Sequence, residues 1–287
     1  MVAITRSSSD LSKARGESGS PDRPVFIVGC PRSGTGVLHQ LLRLHPQLAW
    51  ITPVTSRALA TESFFFEKPR TARWIERIAR LLPTAIVPHF YRGPFDGSLR
   101  VPDLPETSEG AAIWNSGCPE GEDDYLDEAA VTPEARRYFR AIVQWHCSYH
   151  RRPRFVNKRP QNVLRMRYLR AIFPDAFFVH LVRDGKATAA SILSRRRRAD
   201  TSSWWGARPP GWPDQLENSP VVQCAWQWQM CVGIGRRDGE ETDPERYHEL
   251  TYEALTESPE ATLKQLLTAV ELPADEFFTP QVKRYIA

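Results

Sequence analysis

Residues 24–36 read PVFIVGCPRSGTG, and the reading of this stretch decides the fold. Val25 to Val28 form an unbroken apolar run, the pattern of a strand buried on both faces. Behind the loop, Val37, Leu38, Leu41, Leu42 and His45 fall on one helical stripe that Pro46 ends. Gly29 and Gly34, with four residues between them, mark the turn from strand to helix. Such a turn presents backbone N–H groups and the positive end of a helix dipole to an anion, although an ordinary strand-to-helix turn also uses glycines. Loops that grip nucleoside triphosphates continue with Lys and then Ser or Thr, the lysine reaching the distal phosphates and the hydroxyl holding Mg²⁺. Here Thr35 and Gly36 occupy those two places. Arg32 is the cation the loop does offer, and a permanently charged guanidinium neutralises a bridging oxygen without a metal. Cys30 reads as a small filler residue.

Outward from this loop, strand and helix signals alternate, which predicts an α/β fold with a central, mostly parallel sheet flanked by helices. A short second strand is expected at Ala49 to Thr52, and TARWIERIARLL (71–82) has helical periodicity. Residues 84–132 are rich in Pro, Gly and acidic residues without a steady period, the mark of a lid or acceptor-binding segment. Thr132-Pro133-Glu134 opens a helix running to about His150. There follow a strand, RFVNK (154–158), a helix through Leu164, Tyr168, Leu169 and Ile172, a strand, AFFVHLVR (176–183), and a helix from 185 to about 195 capped by Asp184. Residues 196–217 read as a second loop. Ser219-Pro220 starts another helix, YHELTY (247–252) gives a last strand, and Ser258-Pro259-Glu260 opens a helix to Leu272.

The 287 residues, 41% hydrophobic, suffice for one domain with a sizeable core, placed here at 24–287 behind a disordered leader, 1–23. A net charge of +4, with arginines clustered near motifs, fits a small anionic ligand and not a nucleic-acid groove. Five cysteines without a Cys-x-x-Cys pair argue against a disulfide framework or structural zinc, and suit a reducing compartment. With no signal-peptide stretch and no run of membrane-helix length, the cytoplasm is the expected location and no membrane span is expected.

PRSGTG (31–36), VNKRPQN (156–162) and FPDAFFVHLVRDGKATAAS (173–191), in this order, resemble the signatures of sulfotransferases that use 3′-phosphoadenosine 5′-phosphosulfate, and the resemblance extends to LTYEALTESPEATLKQLLTAVELP (250–273). It implies a P-loop-like three-layer fold and a bacterial-branch enzyme related to tyrosylprotein and carbohydrate sulfotransferases. It also implies that Arg32, Ser33, Gly34 and Thr35 wrap the 5′-phosphosulfate; relatives commonly carry Thr or Ser at Gly36, so one hydroxyl is missing there. Arg183 and Ser191 resemble the pair that binds the 3′-phosphate, and their spacing suits it: a strand end and a position two turns into the next helix. A plainer reading pairs Arg183 with Asp184 and packs Ser191. Tyr252 resembles the adenine-contacting position. Lys158, at the end of RFVNK, resembles the lysine that contacts the transferring group, so Arg32 and Lys158 are the expected electrostatic catalysts.

Tyrosylprotein sulfotransferases and many bacterial relatives place a general-base Glu after the second strand, but this chain reads WITPVTSR (50–57), with no carboxylate or histidine. Glu109, in a Ser-Glu-Gly motif resembling one in a bacterial branch, is the first replacement candidate; Glu106, Glu62 and His89 are the others. Trp226 and Trp228 read as helix packing, whereas Trp204, Trp205 and Trp212 in a Pro/Gly-rich loop read as lining for an acceptor pocket. SRRRR (194–198) is either a solvated face or a supplement to Arg183. The chain ends with QVKRYIA (281–287) soon after the last family-like helix, so a basic C-terminal segment that some relatives use on the nucleotide is expected to be short or missing.

The expected reaction moves a sulfuryl group to a hydroxyl, less readily an amine, of a small-molecule, lipid or sugar acceptor, without a metal. A small-molecule kinase and a non-catalytic nucleotide-binding module are the rival readings.

Overall fold

A computed structural model of the chain describes residues 23–53, 55–56, 107–198 and 204–286. Strands β1 (Val25–Val28), β2 (Leu48–Ala49), β3 (Arg154–Lys158), β4 (Phe177–Val182) and β5 (Tyr247–Thr251) form one sheet in the order β2-β3-β1-β4-β5. Every pairing is parallel, with Ile27 opposite both Lys158 and Val179. The chain builds leftward from β1 to β2 and β3, then crosses to β4 and β5 on the right. The carboxyl end of β1 is therefore a topological switch point, where open parallel sheets hold their ligands.

The apolar runs predicted for β1, β3 and β4 are buried throughout because both faces are covered. Val25, Ile27, Val156, Val179 and Leu181 face one core, under α1 (Thr35–Leu42), α7 (Tyr252–Glu257), α8 (Pro259–Ala269), α9 (Ala274–Phe277) and α10 (Pro280–Ile286). Phe26, Val28, Phe155 and Phe178 face the other, under α2 (Ala111–Gly117), α3 (Pro133–His150), α4 (Met166–Ile172), α5 (Gly185–Arg198) and α6 (Pro220–Thr242). The expected three layers are present. Caps behave as their residue types dictate: Thr132 accepts from Ala135 N at the start of α3, and Asp184 accepts from Ala187 N at the start of α5.

Several expected boundaries move. The second strand is Leu48–Ala49 and not 49–52, because Thr52 instead closes a hydroxyl-bonded turn with Thr55. The single helix expected through Leu164 is a 3-10 turn, Pro160–Leu164, then α4, since Arg165 at φ −131°, ψ 19° leaves the helical path. The last of the long helices stops at Ala269 and not Leu272, as Glu271 turns left-handed at φ 54°. The described part of the 84–132 segment contains α2, and α5 runs three residues into the expected 196–217 loop. The predicted helix at 71–82, leader residues 1–22, and Glu62, His89 and Glu106 lie outside the described residues. No helix among the described residues is long and apolar enough to cross a membrane. All five cysteines are free, and Cys30 is buried as filler.

Four histidines, three of them buried and His150 partly so, make the fold acid-sensitive. Burial holds His39 and His146 at a pKa of about 3, and His150 and His180 at about 4. Each is neutral when folded, so below an ordinary value near 6.5 the unfolded chain binds protons that the folded chain does not. Their contribution is fully present above pH ~6.5 and is lost toward pH ~4, at up to about 1.4 kcal/mol per pH unit for each group. The urea midpoint should be flat above pH 7 and fall steeply between pH 6.5 and 5; an equal midpoint at pH 5 and 7 contradicts the assignment.

Candidate active site

The loop after β1 is shaped by two left-handed residues. Gly34 sits at φ 95°, where a Cβ would run into the Tyr252 ring, and Arg32 at φ 72°, a conformation that costs a non-glycine residue of order 1 kcal/mol or more. A turn closed by Ser33 N donating to Cys30 O, 3.1 Å, joins them. Val37 N and Leu38 N turn back to Gly34 O, at 2.9 and 3.3 Å, so the N–H groups at the very start of α1 that remain for an outside acceptor are those of Thr35 and Gly36. Ser33 Oγ is buried without a partner, and a Cβ on Gly36 would meet nothing within 4 Å. A cradle of unspent donors with spare room fits an anionic phosphate or sulfuryl group.

On the β4 side, Arg183 at the strand end lies over the Tyr252 ring at 4.4 Å and approaches Arg32 O at 3.4 Å. The Arg183 carbonyl is held in turn by Trp228 Nε1, 3.0 Å. Arg32 Nε donates to Ser191 Oγ, 3.1 Å. The structure thus brings Arg32, Arg183, Ser191, Gly34 and Tyr252 into one cluster, with Ser191 on Arg32 and Arg183 stacked, not paired with Asp184. Burial, and then Arg198, Arg195 and Arg183, draw the Arg32 guanidinium below its ordinary pKa. Crowded cations without ion-pair partners among the described residues make a potential that an anion relieves.

On the β3 side, Lys158 is nearly buried and its ammonium is ion-paired with Glu109, whose side chain is half exposed. Glu109 reaches this place through long-range bonds. Ser108 N donates to Ile51 O beyond β2, 2.7 Å, Gln40 of α1 bonds Thr107, 2.9 Å, and Asn157 Nδ2 approaches Glu109 O at 3.5 Å. Asn157, Gln40 and Thr107 had no local signature in the sequence, because each acts on a partner about 50 or more residues away. His39, buried beneath Lys158 and Arg43, is kept neutral by burial and by those two cations.

The tryptophans divide differently from expectation. Trp204 packs against Trp212 (5.6 Å) and edge-on to Trp226 (6.0 Å), a ring cluster at the start of α6 and not a set of separate pocket walls. Trp205 underlies Arg195 at 5.7 Å. Of the arginine run, Arg196 is buried on Gln223 (2.8 Å), so it is structural, while Arg195 and Arg198 face the Arg32 cluster electrostatically. Among the described residues no group of three or more His, Cys, Asp or Glu is arranged to hold a metal ion.

Comparison with known proteins gives the chain's family. The family described as "Sulfotransferase family" matches residues 24–61 and 106–276. The omega-hydroxy-beta-dihydromenaquinone-9 sulfotransferase Stf3 of Mycobacterium bovis is 28% identical over 279 residues, 93% of this chain and 67% of that protein. Protein-tyrosine sulfotransferase A of Caenorhabditis elegans is 26% identical over 88% of this chain and 50% of its own length. The crystal structure of sulfotransferase STF1 from Mycobacterium tuberculosis superposes with a TM-score of 0.55 at 16% identity, over 92% of this chain and 70% of that one, a likeness of fold.

Proposed function

The chain belongs to the sulfotransferase family and is an enzyme of sulfuryl transfer, and from that premise we propose that its donor is 3′-phosphoadenosine 5′-phosphosulfate and its acceptor atom a hydroxyl oxygen. One observation carries this reading: the loop at the switch point is flanked by the Arg32–Arg183–Ser191 cluster on the β4 side and by Lys158 on the β3 side. The loop with Arg32 and the Arg183–Ser191 side offer places for two phosphates, and Lys158 on the other flank a cation for the group that is transferred.

When bound, the donor supplies an activated sulfuryl group. The loop residues Arg32, Ser33, Gly34, Thr35 and Gly36 would hold its 5′-phosphosulfate, Arg183 and Ser191 its 3′-phosphate, and Tyr252 its adenine. Arg32 and Lys158 stabilise charge on the leaving phosphate oxygen as the sulfur–oxygen bond to it breaks and the bond to the acceptor oxygen forms. Glu109 accepts the acceptor proton. The relatives named above are sulfotransferases of an omega-hydroxy-beta-dihydromenaquinone and of protein tyrosine, both hydroxyl acceptors, which supports oxygen over nitrogen. A small-molecule, lipid or sugar acceptor fits this reading, with one catalytic domain over 24–287 and a cytoplasmic enzyme without bound metal.

Thermal unfolding with adenosine 3′,5′-bisphosphate against ADP plus Mg²⁺ tests the donor. A hundredfold excess over Kd should stabilise the protein by about 2.7 kcal/mol with the bisphosphate alone. Stabilisation by ADP only with Mg²⁺ instead indicates a kinase. Label transfer from the donor to hydroxylated acceptors then separates an enzyme from a binding module. The same titration reads Gly36→Ser: the added hydroxyl has open space, and replacing a helical glycine by serine adds roughly a few tenths of a kcal/mol, so the variant should be slightly more stable and bind the bisphosphate more tightly.

A further inference from the structure

Arg159 is the residue that neither the fold nor the donor site explains. It follows Lys158 and continues the strand face of Phe155 and Asn157, the face covered by α2 and α3. It is 5% exposed, and its guanidinium makes one bond, from Nη2 to Asn115 Oδ1 of α2 at 2.8 Å; Nε and Nη1 are buried without partners. Other buried or part-buried arginines nearby are compensated. Arg165 is paired with Asp124 at 3.1 Å, Arg152 donates to the carbonyls of Arg43, His45 and Leu48, and Arg154 to those of Arg23, Val270 and Glu271.

A buried charge is tolerated when it is paired and hydrogen-bonded, and strongly destabilising when it is not. Arg159 lacks an ion-pair partner among the described residues, and burial followed by Arg165 pushes its pKa down, with only Glu109, Cys118 and Asp124 acting the other way from a distance. Polar side chains two residues before it in β3 and in the turn that follows it are similarly unspent. Asn162, whose N–H bonds Arg159 O at 3.0 Å, is fully buried with both amide atoms unpartnered, and Asn157 Oδ1 is unpartnered too. This set stands beside Lys158 and Glu109, on the opposite flank of β1 from the Arg183 cluster.

We infer that Arg159, with Asn115 and Asn162, forms an anion subsite on the acceptor side, so that the acceptor carries a carboxylate or phosphate near the hydroxyl that receives the sulfuryl group. The inference rests on the acceptor reading of Glu109 and Lys158 made above. The unpartnered Nε–H and Nη1–H, on different edges of the guanidinium, each offer a charged donor to an anion oxygen, and desolvation in the subsite strengthens the contact. The residue sets specificity and takes no part in bond breaking.

The test is isothermal titration of inorganic phosphate and of acetate into protein whose donor site is first filled with adenosine 3′,5′-bisphosphate. At least one anion should bind, and Arg159→Gln should weaken it by about tenfold or more, the loss expected for a charge-assisted pair, with bisphosphate affinity unchanged. The tighter anion names the group, phosphate or carboxylate. Asn115→Asp supplies an internal partner at Nη2, so it should raise the melting temperature and abolish binding of the added anion. Neither anion binding, or equal binding by Arg159→Gln, overturns the proposal. If Arg159→Gln does not fold, wild-type anion binding or a lowered melting temperature in Asn115→Asp overturns it alone. Failure of the bisphosphate to bind sinks the donor reading instead; the anion comparison between wild type and variants, made without it, still decides Arg159.

Discussion

Lys158→Ala should fold, bind adenosine 3′,5′-bisphosphate nearly as well as the wild type, and transfer sulfuryl groups about 10²–10³ times more slowly, the loss typical of removing one preorganised donor to developing charge. The structure makes this a test of chemistry and not of folding. Lys158 closes β3, its neighbours Val156 and Phe155 carry the packing, and its ion-pair partner Glu109 is exposed enough to be solvated when left alone. Sulfuryl transfer asks little of a protein beyond in-line placement and stabilisation of the leaving oxygen, so a nearly buried ammonium at the switch point has a large share of the work. Arg32→Ala should lower turnover comparably but also weaken bisphosphate binding, because Arg32 touches Ser191 and sits under Arg183 as well as lining the loop. Single-turnover rates and bisphosphate Kd for the two variants measure this split. Near-normal turnover in either one removes it from the mechanism.

What was legible in the chain follows from how local each signal is. RFVNK is β3 as read, and β1 and β4 lie inside their predicted runs, because a strand buried on both faces writes its burial into consecutive residues. The helix from Pro133 to His150 was likewise announced by its cap and first turn. α2 was not: it is seven residues long, starts after a left-handed Gly110 without a side-chain cap, and is held by Ile113 and Trp114 packing under α3. The site divides in the same way. Loop, strand-end lysine and strand-end arginine are sequence features, whereas the Lys158–Glu109 pair spans 49 positions and exists only through the sheet. The isolation of Arg159 is a further case, since one arginine among 38 basic residues looks the same whether paired or not.

Glu109→Gln should reduce transfer by about 10² or more while leaving bisphosphate affinity within about twofold, the range expected for loss of a general base. Two roles compete for this carboxylate. As a structural partner it merely anchors the Lys158 ammonium; as a base it must leave that ammonium and meet the acceptor hydroxyl. Glutamine separates them, because its carbonyl oxygen still accepts a hydrogen bond from Lys158 but cannot take a proton. The backbone around residue 109 should be undisturbed, since it is fixed by Ser108, Thr107 and Asn157 and not by the side chain that is changed. The pair also explains how both charges are kept in register before the reaction. Lys158 and Glu109 neutralise each other in this structure, and on the proposed mechanism an anionic donor would compete for the ammonium and free the carboxylate for the acceptor. A chase of label from bound donor to acceptor, measured for Glu109→Gln beside Lys158→Ala, reads this coupling: the double variant should be little slower than the slower single one if the two act as a unit. Wild-type turnover in Glu109→Gln would leave Glu109 as an anchor for Lys158 and place the base on another residue.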